Sequence, residues 1–287
     1  MTATRRAQSV NSISMSAIAA TGLQLQKLGI TSVADLTKMV PGFQATDSGY
    51  SQPIYFLRGV GFFDTSLQDK PAVTVYTDEV PLPFSPMTVG ASFDLQRVEV
   101  LKGPQGTLYG QDSTGGAINY IAAKPTNTPE AGVDGSFGRF NDTDLSLFAS
   151  GPLTDTLTAR IAARHEGAEG WQKSYTSPDE RNGAKDFSQA RLILDWKPAS
   201  NFKAELNVNG FYDHGQTQAP QFEGTFLENP SSHLDPQFTG FPTAPDNDRA
   251  ADWGQDISLR KHNKFFQTSL RLDYRVSDDV TITSLTA

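Results

Sequence analysis

VEVLKGPQGTLYG at residues 98–110, followed by STGGAINYIAAKP at residues 113–125, decides the fold. Val98 and Val100 mark one strand, and Ala117 to Ala123 mark another. Between them Gly103, Gly106, Gly110, Gly115 and Gly116 let the backbone turn tightly against other chain segments. A phosphate-binding loop is the competing reading of so much glycine. It fails because no Gly-Lys-Ser/Thr ending follows, and no helix is read whose N-terminus would hold the phosphate.

Toward the N-terminus the pattern is mixed α/β. Thr21 caps a predicted short helix with Leu23, Leu25 and Leu28, ended by Gly29. A second helix is predicted from Thr31 or Ser32, with Val33, Leu36, Met39 and Val40 at helical spacing before Pro41-Gly42. The period then changes to two. Ile54, Phe56 and Arg58 alternate with Tyr55 and Leu57, and Val73, Val75 and the Thr77-Asp78-Glu79 turn before Val80 predict a hairpin.

Residues 1–125 hold nine basic and nine acidic residues, so the whole formal charge of −8 lies in residues 126–287. This shift predicts two domains, 1–125 and 126–287. In the second, alternation is strict. Ile161 and its neighbours of the same parity oppose Arg160 and Arg164; Leu192, Leu194 and Trp196 oppose Arg191 and Asp195. Leu206 and Val208 oppose Lys203, Glu205 and Asn207, and Leu270, Leu272 and Tyr274 oppose Arg271 and Asp273. Charges confined to one parity mean strands with one wet face. Strands are predicted at 132–139, 143–150, 156–165, 188–197, 201–212, 265–276 and 279–287. Tight joins follow the second, fourth and sixth, while the joins 166–187 and 213–264 are long. A transmembrane β-barrel has short turns at one rim and long loops at the other, whereas a soluble β-sandwich has no such rule. The first outer join, near Phe140-Asn141, is short and departs from it.

Trp196, Phe202, Tyr212, Phe265, Phe266 and Tyr274 fall near strand ends, where aromatic girdles sit. Arg160, Arg164, Lys203, Glu205 and Arg271 are expected to face inward. In the long loop, Phe222, Phe226, Phe238, Phe241 and Trp253 lie among Asp235, Asp246, Asp248, Asp252 and Asp256, an array suited equally to ligand contact and to solvent.

Composition excludes several classes. With no cysteine there is no disulfide, thiol nucleophile or cysteine-bound metal. A pI near 5.0 argues against nucleic acid. No apolar run is long enough for a transmembrane helix, which leaves β-barrels open. His165, His214, His233 and His262 lack metal-ligand spacing, and Asp78-Glu79 and Asp278-Asp279 read as turn pairs. Asn141-Asp142-Thr143 matches a glycosylation acceptor only by accident. No nucleophile has a base at a telling spacing, so neither an enzyme nor a cofactor is expected.

The run from Phe93-Asp94-Leu95 through Arg97-Val98-Glu99 to Lys124-Pro125 resembles the plug-domain signature of TonB-dependent outer-membrane receptors. Leu57-Arg58-Gly59-Val60-Gly61 is similar to the family's arginine–glycine strand end, and Val75-Tyr-Thr-Asp-Glu-Val-Pro81 to its central hairpin. The resemblance implies an α/β plug followed by the first part of an antiparallel transmembrane β-barrel, about seven strands of about 22. It implies that Arg58, Arg97 and Glu99 latch plug to barrel wall, with Gly59 among the signature turns. It implies active uptake of a scarce ligand across the bacterial outer membrane, an iron–siderophore first, otherwise a cobalamin or a glycan. The partners would be outer-membrane lipid and the TonB energy-transducing complex. Met1 to Arg6 is similar to text just after the TonB box, with the box itself missing. Arg5-Arg6 opens no signal peptide, because Asn11 and the serines after it break any apolar stretch. The C-terminal run from Val280 stops mid-strand, so the chain reads as a fragment. A passive outer-membrane channel and a soluble β-rich carbohydrate-binding module are the alternatives.

Overall fold

The computed structural model describes residues 16–48, 52–63, 70–110, 112–177, 179–224, 242–253 and 258–287. Strand β1 (Ala17–Thr21) runs straight into helix α1 (Gly22–Lys27). The Gln24 amide donates to Thr21 Oγ1 at 3.3 Å while the Thr21 amide donates to Gln24 Oε1 at 2.9 Å, a reciprocal capping box. Gly29 then leaves the helix at a φ of 60°.

The second predicted helix is shorter than its pattern suggests, a 3-10 segment over Ala34–Lys38. The Asp35 carboxylate accepts hydrogen bonds from the Thr31 and Ser32 amides and the Ser32 hydroxyl, and this local bonding competes with α-helical pairing. Val33, Leu36 and Val40 are nevertheless buried as the spacing requires.

Strands β2 (Phe43–Asp47) and β3 (Pro53–Leu57) pair with each other. Strands β4 (Val73–Thr77), β5 (Val80–Leu82), β6 (Leu95–Lys102) and β7 (Gly116–Ala122) join β1 in a five-stranded sheet of order β1-β6-β7-β4-β5. Within this sheet, among the described residues, only β4 and β7 pair in parallel. Every residue of β4 and β7 is buried, because both faces of the sheet are covered. One face packs Val75, Val98, Val100, Ile118 and Tyr120 against Leu36 and Val40; the other packs Tyr76, Leu101, Tyr109 and Ala117. One departure lies inside the deciding stretch, where a single helical turn, α2 (Gly106–Tyr109), occupies a region read as helix-free.

The chain then builds a second sheet. Strands β8 (Glu130–Phe137), β9 (Thr143–Pro152), β10 (Leu157–Ala168), β13 (Lys185–Ala199), β14 (Phe202–Asp213), β16 (Asn263–Arg275) and β17 (Thr281–Thr286) form an open antiparallel sheet in simple sequence order. Between them, β11 (Gln172–Ser174), β12 (Arg181–Asn182) and β15 (Ala250–Ala251) make a small sheet that ties the two long connections together. The Gln172 side chain both donates to and accepts from the Ala219 main chain at 2.8 Å, reinforcing that tie.

The predicted parity holds. Val133, Leu147, Ile161, Leu192, Phe266 and Leu270 expose their side chains on one face, while Arg160, Arg164, Arg191, Asp195, Glu205 and Asn207 are buried on the other. Trp196 meets Phe202 edge-on at 6.1 Å, and Tyr274 lies opposite Phe202, placing an aromatic girdle at the short-turn rim. Phe265 does not join a girdle. It turns inward, stacks on Phe211 at 5.2 Å and packs against the first sheet's core. Ile193, on the polar parity, is also fully buried.

Candidate functional site

The first unit meets the inward face of the wall along a seam of charge. Its central feature is the β4–β5 hairpin, where Thr77 pairs with Val80 across Asp78 and Glu79. Both turn residues take positive φ, 48° and 71°. Such mirror-image turns favour Asn-Gly or Asp-Gly, so Glu79 bears local strain. The contacts made by the tip offset it. Asp78 Oδ1 accepts from Lys124 Nζ at 2.9 Å and from the Ala122 amide at 3.2 Å, while Oδ2 accepts from Asn207 Nδ2 of β14 at 2.9 Å. Lys124 also reaches Glu205 of the wall at 2.6 Å, and Glu205 in turn binds Lys203 at 3.1 Å. Burial alone would depress the Lys124 pKa, but the Asp78 and Glu205 carboxylates outweigh it and hold the ammonium above the ordinary lysine value. Glu79 adds a longer pair to Arg271 of β16 at 3.5 Å.

A second anchor is Asp94, just before β6 at a φ of 46°. Arg160 of β10 grips its carboxylate with two hydrogen bonds of 2.8 and 2.5 Å. Arg191 of β13 donates instead to backbone, reaching the carbonyls of Phe93 at 2.6 Å and Asp94 at 3.2 Å. Its guanidinium lies 5.3 Å from the Phe93 ring centre. Both arginines are buried, and the two-pronged carboxylate pairing is the strong form of such a contact. Farther along, Arg164 donates to the Thr31 carbonyl at 3.3 Å and Gln26 to Asp134 of β8 at 2.8 Å.

The residues singled out in the sequence fall in two places. Arg97 Nε donates to Glu99 Oε1 at 2.7 Å, and Glu99 is fully buried in the sheet. Arg58, at a φ of 55°, donates to Ser16 Oγ at 2.8 Å. Ser16 bonds to Lys102, whereas Arg97 faces Thr21. Arg58 therefore meets the opposite end of the β1–β6 ladder from the Thr21–Arg97 pair. Among the glycines, Gly59, Gly103, Gly110 and Gly116 take positive φ, and Gly106 has ordinary φ and open space. A Cβ on Gly115 would lie 3.0 Å from the Val60 carbonyl, and one on Gly116 would lie 2.3 Å from the Leu101 carbonyl. No side chain fits there without moving backbone.

The inward charges Arg160, Arg164, Glu205 and Arg271 all touch the first unit, as their shared parity requires. Their side-chain partners Asp94, Lys124 and Glu79 carry no comparable signal, since each pairs with a residue far away in the chain. Arg191 reads a backbone carbonyl, which leaves no trace in residue types. Among the described residues no cluster of three metal-ligating side chains exists. His233, Phe226, Asp235, Phe238, Phe241 and Asp256, like Arg5 and Arg6, lie outside the described residues. Asp252, in the same long connection, accepts from Ser174 at 3.2 Å and from Thr176 at 2.5 Å, linking the two loops.

Residues 8–117 match the family described as TonB-dependent Receptor Plug Domain. The chain is 37% identical over 155 residues to the pesticin receptor of Yersinia pestis, covering 53% of this chain and 22% of that protein. It is 29% identical over 188 residues to a vitamin B12 transporter of Vibrio vulnificus, covering 62% of this chain and 29% of the transporter. Its fold matches the crystal structure of the ferric yersiniabactin uptake receptor of Yersinia pestis with a TM-score of 0.78 and 22% identity, over 97% of this chain and 41% of that one. It matches the outer-membrane ferripyoverdine receptor of Pseudomonas aeruginosa with a TM-score of 0.66 and 19% identity, over 95% and 33%. The chain thus spans between about a fifth and two fifths of these proteins.

Proposed function

We propose that the full-length protein drives energy-coupled uptake of a scarce ligand across the Gram-negative outer membrane, since residues 8–117 match the TonB-dependent receptor plug family and seven strands in simple antiparallel order follow. An iron–siderophore is the ligand class proposed first, with a cobalamin second. The plug closes the lumen, the ligand binds at the plug apex and outer loops, and the TonB complex supplies the work that displaces the plug. We place the boundary between the plug and the wall domain at residue 125.

The charged seam carries this reading. A plug joined to the wall through the buried pair Asp94–Arg160 and the half-buried set Asp78–Lys124–Glu205 blocks free passage and needs work to move. Opening one buried pair leaves a stranded charge at about 3–5 kcal/mol, far above thermal energy. The latch proposed here therefore includes Asp78, Asp94 and Lys124 beside Arg97 and Glu99, with Arg58 at a separate point of the plug.

The test is receptor-dependent uptake of a labelled ferric chelate by cells expressing the full-length protein, with and without collapse of the proton gradient. Uptake that stops on collapse supports energy coupling. Uptake that continues unchanged overturns it in favour of a passive channel.

A further inference from the structure

The outward face of the wall changes character along its length. On the segment that becomes β16, Phe266, Thr268, Leu270 and Tyr274 share the outward parity and are exposed, and so are Arg260, His262 and Lys264 before them. Pairing with β14 continues past Asn263 in unbroken register, since Arg260 bridges Gln216 and the Lys261 amide donates to the Gly215 carbonyl at 2.8 Å. One face of a single ladder therefore has a cationic end and an apolar remainder.

The aromatic residues supply the scale. Phe202 and Tyr212 share the outward parity of β14, ten residues apart. At the usual strand rise that is about 33 Å along the strand, or about 25 Å of height at a barrel tilt of about 40°. This equals the apolar band of an outer-membrane wall, which carries aromatic rings at both edges. Tyr212 thus marks the edge at the long-loop rim, the side that faces outside the cell. Lys264 lies directly opposite Tyr212, its ammonium 5.1 Å from the ring centre. His262 and Arg260 follow about 5 and about 10 Å higher by the same rise and tilt, at headgroup depth.

Charge at this rim is sorted by face. On the inward parity Lys261 binds Asp213 at 2.7 Å, and Lys185 binds Asp142 at 2.9 Å. Among the described residues no carboxylate pairs with Lys264 or Arg260. Asp186 shares their tier but stands on β13, beyond His214 and two strands from β16. His214 meets Tyr212 edge-on and lies 5.2 Å from His262, so two imidazoles stand beside the cations. An ammonium, a guanidinium and ring N–H donors above an apolar face suit a phosphate ester whose acyl chains run down the wall. A neutral headgroup would leave both cations without a counter-charge, and a free phosphate would make no use of the apolar face.

We infer that Arg260 and Lys264, with His214 and His262 beside them, bind the phosphorylated headgroup of an outer-leaflet lipid whose acyl chains lie on the face carrying Phe266 and Leu270. The inference needs the outward face to meet lipid and is independent of energy coupling, so a failure of gradient-dependent uptake leaves it standing. It is tested on the purified full-length receptor in mild detergent, with bound lipid counted by native mass spectrometry. The probes are bisphosphorylated lipid A and the same lipid stripped of both phosphates. The phosphorylated form should bind at least about tenfold more tightly. Arg260→Gln combined with Lys264→Gln should abolish that preference and leave the affinity for the stripped lipid unchanged. Lys185→Gln, at the same rim on the inward parity, should change neither. Equal binding of the two lipids, a preference that survives the double substitution, or displacement of the lipid by excess inorganic phosphate overturns the inference. So does equal weakening of both lipids in the double variant, or an equal loss in Lys185→Gln, which would show diffuse charge and no defined site.

Discussion

Gly116 and Gly106 stand ten positions apart in one glycine-rich stretch and obey different physics. At Gly116 a methyl group would meet the Leu101 carbonyl at 2.3 Å and Leu57 at 2.5 Å, at a φ of 149°. Gly116→Ala should cost at least about 3 kcal/mol in chemical unfolding of the full-length receptor, the scale of backbone strain plus overpacking. Gly106 begins a helical turn in open space. Gly106→Ala should be neutral or stabilise by up to about 1 kcal/mol, through lost freedom of the unfolded chain. Nothing in the letters separates the two, because the difference lies in which strand passes behind each. Asp35 makes a pH-dependent contribution of known sign. Burial raises its pKa, but bonds from Lys38, Ser32 and the Thr31 amide outweigh this and hold it below its ordinary 3.8. The stabilisation is therefore complete above that value and disappears as pH falls through the lower folded value. Unfolding midpoints of wild type and Asp35→Asn should converge in strong acid and diverge above about pH 4.

At the level of elements, the strands and their facing were legible because charges held to one parity of a two-residue period require a strand with one wet face. All seven wall strands fall within a few residues of their expected limits, in simple antiparallel order. What stayed hidden was each place where the plug overrides the rule. Ile193 and Phe265 are apolar on the inward parity because they touch protein there, not water, and a strand pattern cannot say which stretch of lumen is filled. The 3-10 segment at Ala34–Lys38 was hidden for a local reason, the pull of Asp35 on its own N-terminal amides. The parity itself is testable. Leu192 faces outward at mid-strand, between Ile161 and Val208. Leu192→Arg should cost about 2–4 kcal/mol when the receptor is refolded into lipid bilayers, if this face meets hydrocarbon. An unchanged refolding midpoint would mean that the face meets water.

For the molecule as a whole, the relation between plug and wall decides function, and little of it was written locally. The wall half of each contact was legible as a charge on the inward parity. The plug half was not, since Asp78 read as turn chemistry and Asp94 only as part of the signature run from Phe93. Both readings are correct and incomplete. The two anchors should differ in kind when broken. Asp94→Ala removes a buried carboxylate from Arg160 and should destabilise plug seating by about 3–5 kcal/mol, seen as leakage of bulky antibiotics through cells carrying the receptor. Glu79→Gly trades a 3.5 Å pair to Arg271 for relief of a strained turn, and should change leakage little. Arg191 offers a different lesson. It holds the carbonyls of Phe93 and Asp94, and Arg164 likewise holds that of Thr31. A grip on main-chain oxygen is indifferent to side-chain identity, so the plug is free to vary its sequence beneath it while the wall arginine is not. Plugs from distant relatives with the same backbone path would then be interchangeable parts at these contacts, provided they keep the carboxylates of Asp78 and Asp94 that the rest of the socket reads.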